Sequence, residues 1–101
     1  MDPVRIVVEV HCLQLDCQSE SRYRLYANND LLTERLWRWN IDIIIEEEIW
    51  LNLNINSNNI IRLEPILPIK STTKFQFNNF KIMHEPINIT SVSDLAVRFI
   101  I

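Results

Sequence analysis

Residues 4–11 have the sequence Val-Arg-Ile-Val-Val-Glu-Val-His, and this stretch decides the fold class. Apolar side chains occupy every second position, and the two charged side chains lie between them. This period of two is typical of a strand with one buried face, because successive side chains of a strand point to opposite sides of the sheet. We therefore predict a strand that directs Val4, Ile6, Val8 and Val10 into a core.

The same alternation recurs along the chain, which predicts an all-β protein. It is found in residues 22–27, 31–39, 49–55, 60–67, 72–77 and 95–101. Helix signals are weaker: residues 29–39 have a helical alternative, and residues 91–96 are predicted to form one helical turn. About seven or eight strands in 101 residues predict one domain, an antiparallel β-sandwich with jelly-roll character.

Parity changes in the pattern predict bends and turns. After Cys12 the apolar positions move to Leu13, Leu15 and Cys17, which predicts a bulge or bend. Residues 18–21 are polar and predict a loop. Pro65 and Pro68 are expected to end a strand or confine it to an edge, because proline cannot donate to a strand ladder.

Asparagine is expected to form the tight turns. The chain has no glycine, and asparagine is the residue that next best tolerates a left-handed backbone. Three asparagine pairs separate predicted strands, so we expect them to form hairpin turns: Asn28 and Asn29, Asn58 and Asn59, and Asn78 and Asn79.

Each turn predicts cross-strand neighbours. At the first turn the register stays open: a two-residue loop pairs Leu25 with Leu32, and a three-residue loop pairs Arg24 with Glu34. The second turn is expected to place Leu53 beside Leu63 and Ile55 beside Ile61, and on the other face Asn52 and Asn54 near Glu64 and Arg62. The third is expected to place Phe77 opposite Phe80 and Phe75 opposite Ile82.

Composition excludes several classes of function. Phosphate-binding loops, dinucleotide fingerprints and nucleophile elbows need glycine, which the chain lacks. Ten basic against thirteen acidic residues provide no cationic footprint for a nucleic acid. We also expect no signal peptide and no membrane span, because an acid occurs at the second residue and no apolar run approaches about 20 residues.

The residues that could carry chemistry form no known motif. His11 and His84 are far apart in sequence, and no metal-ligand spacing occurs. Cys12 and Cys17 are expected to be reduced thiols, although their spacing leaves a bridge open. We predict no catalytic residue, no metal and no cofactor.

The densest charge is Glu46-Glu47-Glu48, preceded by Asp42. Paired carboxylates serve glycosidases and calcium sites. Three consecutive strand residues, however, alternate between opposite faces, so they do not converge on one pocket. A solvated loop or an edge strand protected by an inward charge is the favoured interpretation.

Three tryptophans and an arginine form the candidate interaction site. Trp37 and Trp39 are predicted to share a strand face with Arg35 beside them, and Trp50 faces away from the most apolar stripe. Tryptophan and arginine are enriched at protein interfaces, and exposed tryptophan rings also stack on sugars. Burial in the core is the third interpretation.

Residues 23–39, YRLYANNDLLTERLWRW, followed by Glu46-Glu47-Glu48 and Ile49-Trp50-Leu51, resemble a pattern in short virion-associated proteins of marine tailed phages, especially cyanophages. The resemblance covers less than a third of the chain. It implies a small β-sandwich in the virion, acting as a capsid decoration or cement protein or as a head-tail or tail component.

We therefore expect a non-enzymatic virion structural protein made in the host cytoplasm. Its expected partners are copies of itself and other virion proteins, such as the major capsid protein. The alternative is a carbohydrate-binding module that binds a glycan through Trp37, Trp39, Asn52 and Asn54.

Overall fold

The computed structural model describes residues 4–16, 20–52, 58–82 and 88–100. These residues form eight strands and no helix. The strands are β1 (Val4–Gln14), β2 (Arg22–Ala27), β3 (Asp30–Leu36), β4 (Ile44–Leu51), β5 (Asn58–Ile66), β6 (Lys74–Ile82), β7 (Asn88–Val92) and β8 (Ala96–Ile100). The predicted helical turn at 91–96 is wrong, because Ser93 N donates to Ala96 O at 2.8 Å and closes a β7–β8 hairpin.

The strands form two antiparallel sheets packed as a sandwich, which confirms the predicted fold class. One sheet has three strands in the order β4-β1-β6, and the other has five in the order β3-β2-β5-β8-β7. Most neighbours in a sheet are distant in sequence; Ile6 of β1, for example, pairs with Ile82 of β6. Among the described strands, only the β2–β3 and β7–β8 pairs join strands that are consecutive in the chain.

The core lies between the sheets and begins with the face of β1 that the sequence predicts. Val4, Ile6, Val8 and Val10 are each at most 1% exposed. Opposite them the five-stranded sheet buries its own alternating side chains, namely Tyr23, Leu25, Ile61, Val97 and Phe99. Each fully buried large apolar side chain stabilises the fold by about 1.5 to 3 kcal/mol, so this interior supplies most of the driving force.

The predicted bulge after Cys12 is confirmed, but the predicted change of apolar parity is wrong at Leu13. Strand β1 continues to Gln14, where Cys12 is still an inward residue at 2% exposed, and both Leu13, at 51%, and Gln14 are exposed. The irregularity is in the pairing with β6, whose register shifts between Cys12 and Gln14. Leu15 packs partly against the core, and Cys17 lies outside the described residues.

The first asparagine turn is a hairpin, as predicted. Ala27 pairs with Asp30 across a two-residue loop, and Asn28 has a left-handed φ of 54°. The register shifts in the next pair, because Tyr26 pairs with Leu31 but Leu25 pairs with Thr33 instead of Leu32. The shift adds one residue to β3, so the two-residue loop coexists with the pairing of Arg24 with Glu34.

The second predicted hairpin is wrong, because β4 and β5 lie in different sheets. The two neighbours of β5 are β2 and β8, and Leu63 pairs with Leu25 rather than with Leu53. Asn58 and Asn59 are therefore strand residues and not turn residues. Residues 53–57, which the prediction also involved, lie outside the described part of the chain.

The third predicted hairpin is also wrong, because β6 runs through Asn78 and Asn79 as one strand. Its register with β1 shifts there, so that Asn79 and Phe80 together oppose Val8. Asn79 has a left-handed φ of 50°, the conformation that glycine often supplies in a bulge. A bulge moves inward positions by one residue, which explains the parity change that the sequence assigned to a hairpin.

Candidate functional site

The connection between β3 and β4 passes from the five-stranded sheet to the three-stranded sheet at one end of the sandwich. Strand β4 begins there, with Ile44 paired to His11 near the end of β1. Five large apolar side chains are exposed at this end by 39% to 57%. We call them the end patch: Leu13, Trp39, Ile41, Ile43 and Ile44.

Three aromatic contacts and a turn hold the Trp39 side of the end patch in place. Trp37 is buried against Tyr23 and Phe75, with ring centroids at 6.5 Å and 5.7 Å. Trp39 packs edge-on against Trp37 at 5.5 Å. Beyond it, Ile43 N donates to Asn40 O at 3.3 Å and turns the chain into β4. Trp39 is thus supported by the core through Trp37.

The surface of the end patch is concave on one side. Leu13, Leu15 and Ile41 line an open depression of about 380 Å³, together with Gln14 and Asn40. The lining is mostly aliphatic. A depression of this kind accepts an apolar side chain of a partner, because burying apolar surface is the main driving force of association.

Two opposite charges flank the end patch. Arg38 and Asp42 are both exposed and lie on the same connection, on either side of Trp39 and Ile41. Within the part of the chain that the structure describes, neither side chain has a hydrogen bond or an ion pair. They are therefore available to a partner.

A partly buried ion pair lies between the two sheets, where the buried Glu47 meets Arg35, whose side chain is 45% exposed. Glu47 of β4 is 3% exposed and accepts a hydrogen bond of 2.8 Å from the Tyr23 hydroxyl. Arg35 of β3 donates to both carboxylate oxygens, with Nη2 at 3.0 Å from Oε2. Burial raises the pKa of Tyr23, and its hydrogen bond to Glu47 raises it further. The bond to Glu47 raises the pKa of Arg35.

The neighbouring acids of β4 point to the other face, as the alternation predicts. Glu46 and Glu48 are exposed, and Glu48 accepts hydrogen bonds from Arg5 at 2.9 Å and 3.2 Å. This hydrogen bonding lowers the pKa of Glu48. Strand β4 is an edge strand whose middle acid points inward, which confirms the protected-edge interpretation.

The structure separates the residues of the predicted interaction site. Trp37 is 5% exposed, so its assignment to an interface is corrected to the core. Arg35 is occupied by Glu47, and Trp39 remains exposed. Trp50 is 63% exposed but lies opposite Arg5, six residues along β4 from Ile44, which is about 20 Å at the rise of a strand.

Sequence reasoning missed four members of the end patch. Leu13 was assigned to an inward face, and Ile41, Ile43 and Ile44 were not assigned to a site. A signal was present: these isoleucines follow Trp39 within five residues, in a segment without regular alternation. An apolar segment outside the alternating strands has no predicted place in the core.

The histidine and cysteine that the structure describes, His11 and Cys12, each contact a neighbouring residue. His11 Nε2 lies 3.1 Å from Glu9 Oε1, and this contact together with a hydrogen bond from Asn79 lowers the pKa of Glu9. The Cys12 thiol is free and donates to Gln14 O at 3.3 Å, and burial raises its pKa. His84 lies outside the described residues.

Two further features are absent from the described residues. These residues contain no group of three or more histidine, cysteine, aspartate or glutamate side chains placed to hold a metal ion. They also contain no helix that is long and apolar enough to cross a membrane.

Comparison with known proteins adds no assignment. No protein-family model matches the chain, and no curated protein and no solved structure matches it.

Proposed function

We propose that this protein is a non-enzymatic structural component of a larger assembly and that it binds other protein chains through the end patch. The observation that carries the proposal is a group of five large, half-exposed apolar side chains on the β3–β4 connection, the start of β4 and the end of β1, where Leu13 and Ile41 line one depression. Contiguous exposed apolar patches larger than a few hundred Å² mark interaction sites in soluble proteins.

The chemistry of the end patch favours a protein partner over a sugar. Four of its five side chains are aliphatic, whereas a sugar site needs an aromatic platform with polar groups beside it. Trp37, which the carbohydrate alternative required, is buried, and Asn54 lies outside the described residues.

The rigidity of the sandwich supports a role in assembly. The β7–β8 turn ties both sheets together, since Asp94 O accepts from Phe77 N and Leu95 O accepts from Leu63 N, each at 2.7 Å. At the other side Glu47 joins the sheets through Tyr23 and Arg35. A surface held in this way loses little conformational entropy on binding.

The proposed assembly is a phage virion, in which the chain acts as a capsid decoration or cement protein or as a head-tail or tail component. Support comes from the resemblance of residues 23–39, which span the β2–β3 hairpin and reach Trp39 of the end patch. Its partners would be copies of itself and other virion proteins, such as the major capsid protein.

The proposal is tested on purified virions of the phage that encodes the chain. Mass spectrometry is expected to detect its peptides at a fixed ratio to the major capsid protein. Their absence from such virions would refute the virion assignment.

The binding surface is tested separately by co-sedimentation of added protein with virions that lack it. We expect W39A and I41S to reduce co-sedimentation, because both shorten side chains of the end patch. The matched controls are W50A and I69S, which change a tryptophan 63% exposed and an isoleucine 94% exposed outside the patch. Equal losses in the controls, or none in the patch variants, would contradict the assignment of this surface.

A further inference from the structure

We propose that the end patch binds the end patch of a second copy of this chain around a two-fold axis, with Arg38 of each copy facing Asp42 of the other. This inference rests on the proposed function and names the first partner of its binding surface. It follows from the area of the patch, from the charges that flank it and from the state of the neighbouring strand edges.

The apolar area of the end patch matches one side of a stable dimer. Five side chains with surfaces on the order of 200 Å² each, exposed by 39% to 57%, present about 500 Å². A standard interface buries about 800 Å² per partner, of which roughly 60% is apolar. The patch therefore supplies the apolar share of one partner's contribution.

The charges beside the patch are self-complementary. Arg38 and Asp42 have opposite signs, lie on the same connection and have no partner among the described residues. In a two-fold contact, if one residue touches a second on the partner, the reverse contact also forms. One exposed base and one exposed acid thus give two ion pairs and no net repulsion between copies.

The neighbouring strand edges disfavour dimerisation by sheet extension. Pairing β4 with β4 of another copy would bring glutamates of the run 46–48 against each other. The free edge of β6 is covered in part by the β7–β8 turn, because Phe77 N already donates to Asp94 O. A second copy is therefore expected on the end patch and not beside these strands.

The test is sedimentation equilibrium of the purified full chain and of charge variants. The wild type is expected to form a dimer with a Kd below about 1 mM. R38D and D42R each replace two attractions with two repulsions, and we expect each to raise the dimer Kd by at least about tenfold. R98D is the matched control, since it makes the same change at an exposed position on β8 and should leave the Kd unchanged.

Mixing distinguishes a reciprocal contact from any other arrangement. The R38D copy carries two acids at these positions and the D42R copy carries two bases, so an equimolar mixture is expected to form a heterodimer. The double variant R38D/D42R is expected to dimerise with itself again. Circular dichroism checks that each variant is folded.

Two results would overturn the inference: a wild type that stays monomeric over this range, or a dimer whose Kd is unchanged in R38D and D42R. A monomeric wild type that co-sediments with virions and loses this binding in W39A would refute the dimer and leave the proposed function standing. A dimer whose peptides are absent from virions would refute the virion role and support the dimer.

Discussion

The hydrogen bond from Tyr23 to Glu47 crosses between the sheets, and we expect its removal by Y23F to destabilise the protein by about 2 kcal/mol. The Tyr23 side chain is fully buried, the Glu47 carboxylate is nearly so, and the bond measures 2.8 Å. A hydrogen bond to a charged group contributes roughly 1.5 to 3 kcal/mol. We take the lower half of this range, because Arg35 continues to compensate the carboxylate in the variant.

The assay is thermal unfolding at pH 7. For a domain of this size a loss of 1 kcal/mol lowers Tm by roughly 4 to 8 °C, so Y23F is expected to lower it by about 10 °C. The matched control is Y26F, which makes the same change on the outer face of the same strand. Its effect is expected to stay within about 0.5 kcal/mol.

A double-mutant cycle tests the reasoning itself. E47L removes the acceptor, so the proton of the buried Tyr23 hydroxyl loses the group to which it is donated, at a cost of about 1 to 3 kcal/mol. In that background Y23F removes a group that no longer forms the bond, so it is expected to cost nothing or to restore some stability. If Y23F costs the same with and without E47L, the bond across the sheets does not provide the stability assigned to it.

Three further predictions concern single residues. Lys70 has a left-handed φ of 68°, so K70G is expected to raise the free energy of unfolding by about 0.5 to 1 kcal/mol in urea denaturation, and a decrease would contradict the turn geometry. Cys12 is buried and its pKa is raised, so in a C17S variant its thiol is expected to react with iodoacetamide far more slowly in the native than in the unfolded protein. Equal rates in the two states would show that Cys12 is accessible. The hydrogen bond from Arg24 lowers the pKa of Glu34, so the ionised Glu34 stabilises the fold above about pH 4.5 and this contribution is lost as the pH falls further. The Tm of E34Q should therefore fall less between pH 6 and pH 3 than the Tm of the wild type. Parallel curves of Tm against pH would refute the coupling.

The sequence predicts the strands well because their signal is local. In β1 and β8 the alternation of apolar residues coincides with the burial of Val8, Val97 and Phe99. The choice of neighbouring strand is different, since it depends on residues far away in the chain. The change of parity at Asn79 is compatible with a hairpin or a bulge, and only the continuous partner β1 makes it a bulge.

The candidate site could be predicted only in part for a related reason. Trp37 and Trp39 are two residues apart, so a continuing strand would give both the same exposure. Strand β3 ends at Leu36, and beyond it the path of the connection decides which ring is buried. Trp37 enters the core and Trp39 covers it, a difference that no period in the sequence encodes.

The sheet order has a consequence for how the protein acquires its structure during synthesis. Strand β1 is the central strand of its sheet and leaves the ribosome before both of its neighbours, β4 and β6. Its hydrogen-bonding groups therefore remain without their ladder partners for a long time, since Ile82, which pairs with Ile6, is made more than half a chain length later. Folds dominated by such distant pairings form in milliseconds to seconds rather than microseconds. We expect the nascent chain to be prone to aggregation, and its yield to depend on chaperones more than the stability of the finished sandwich would suggest.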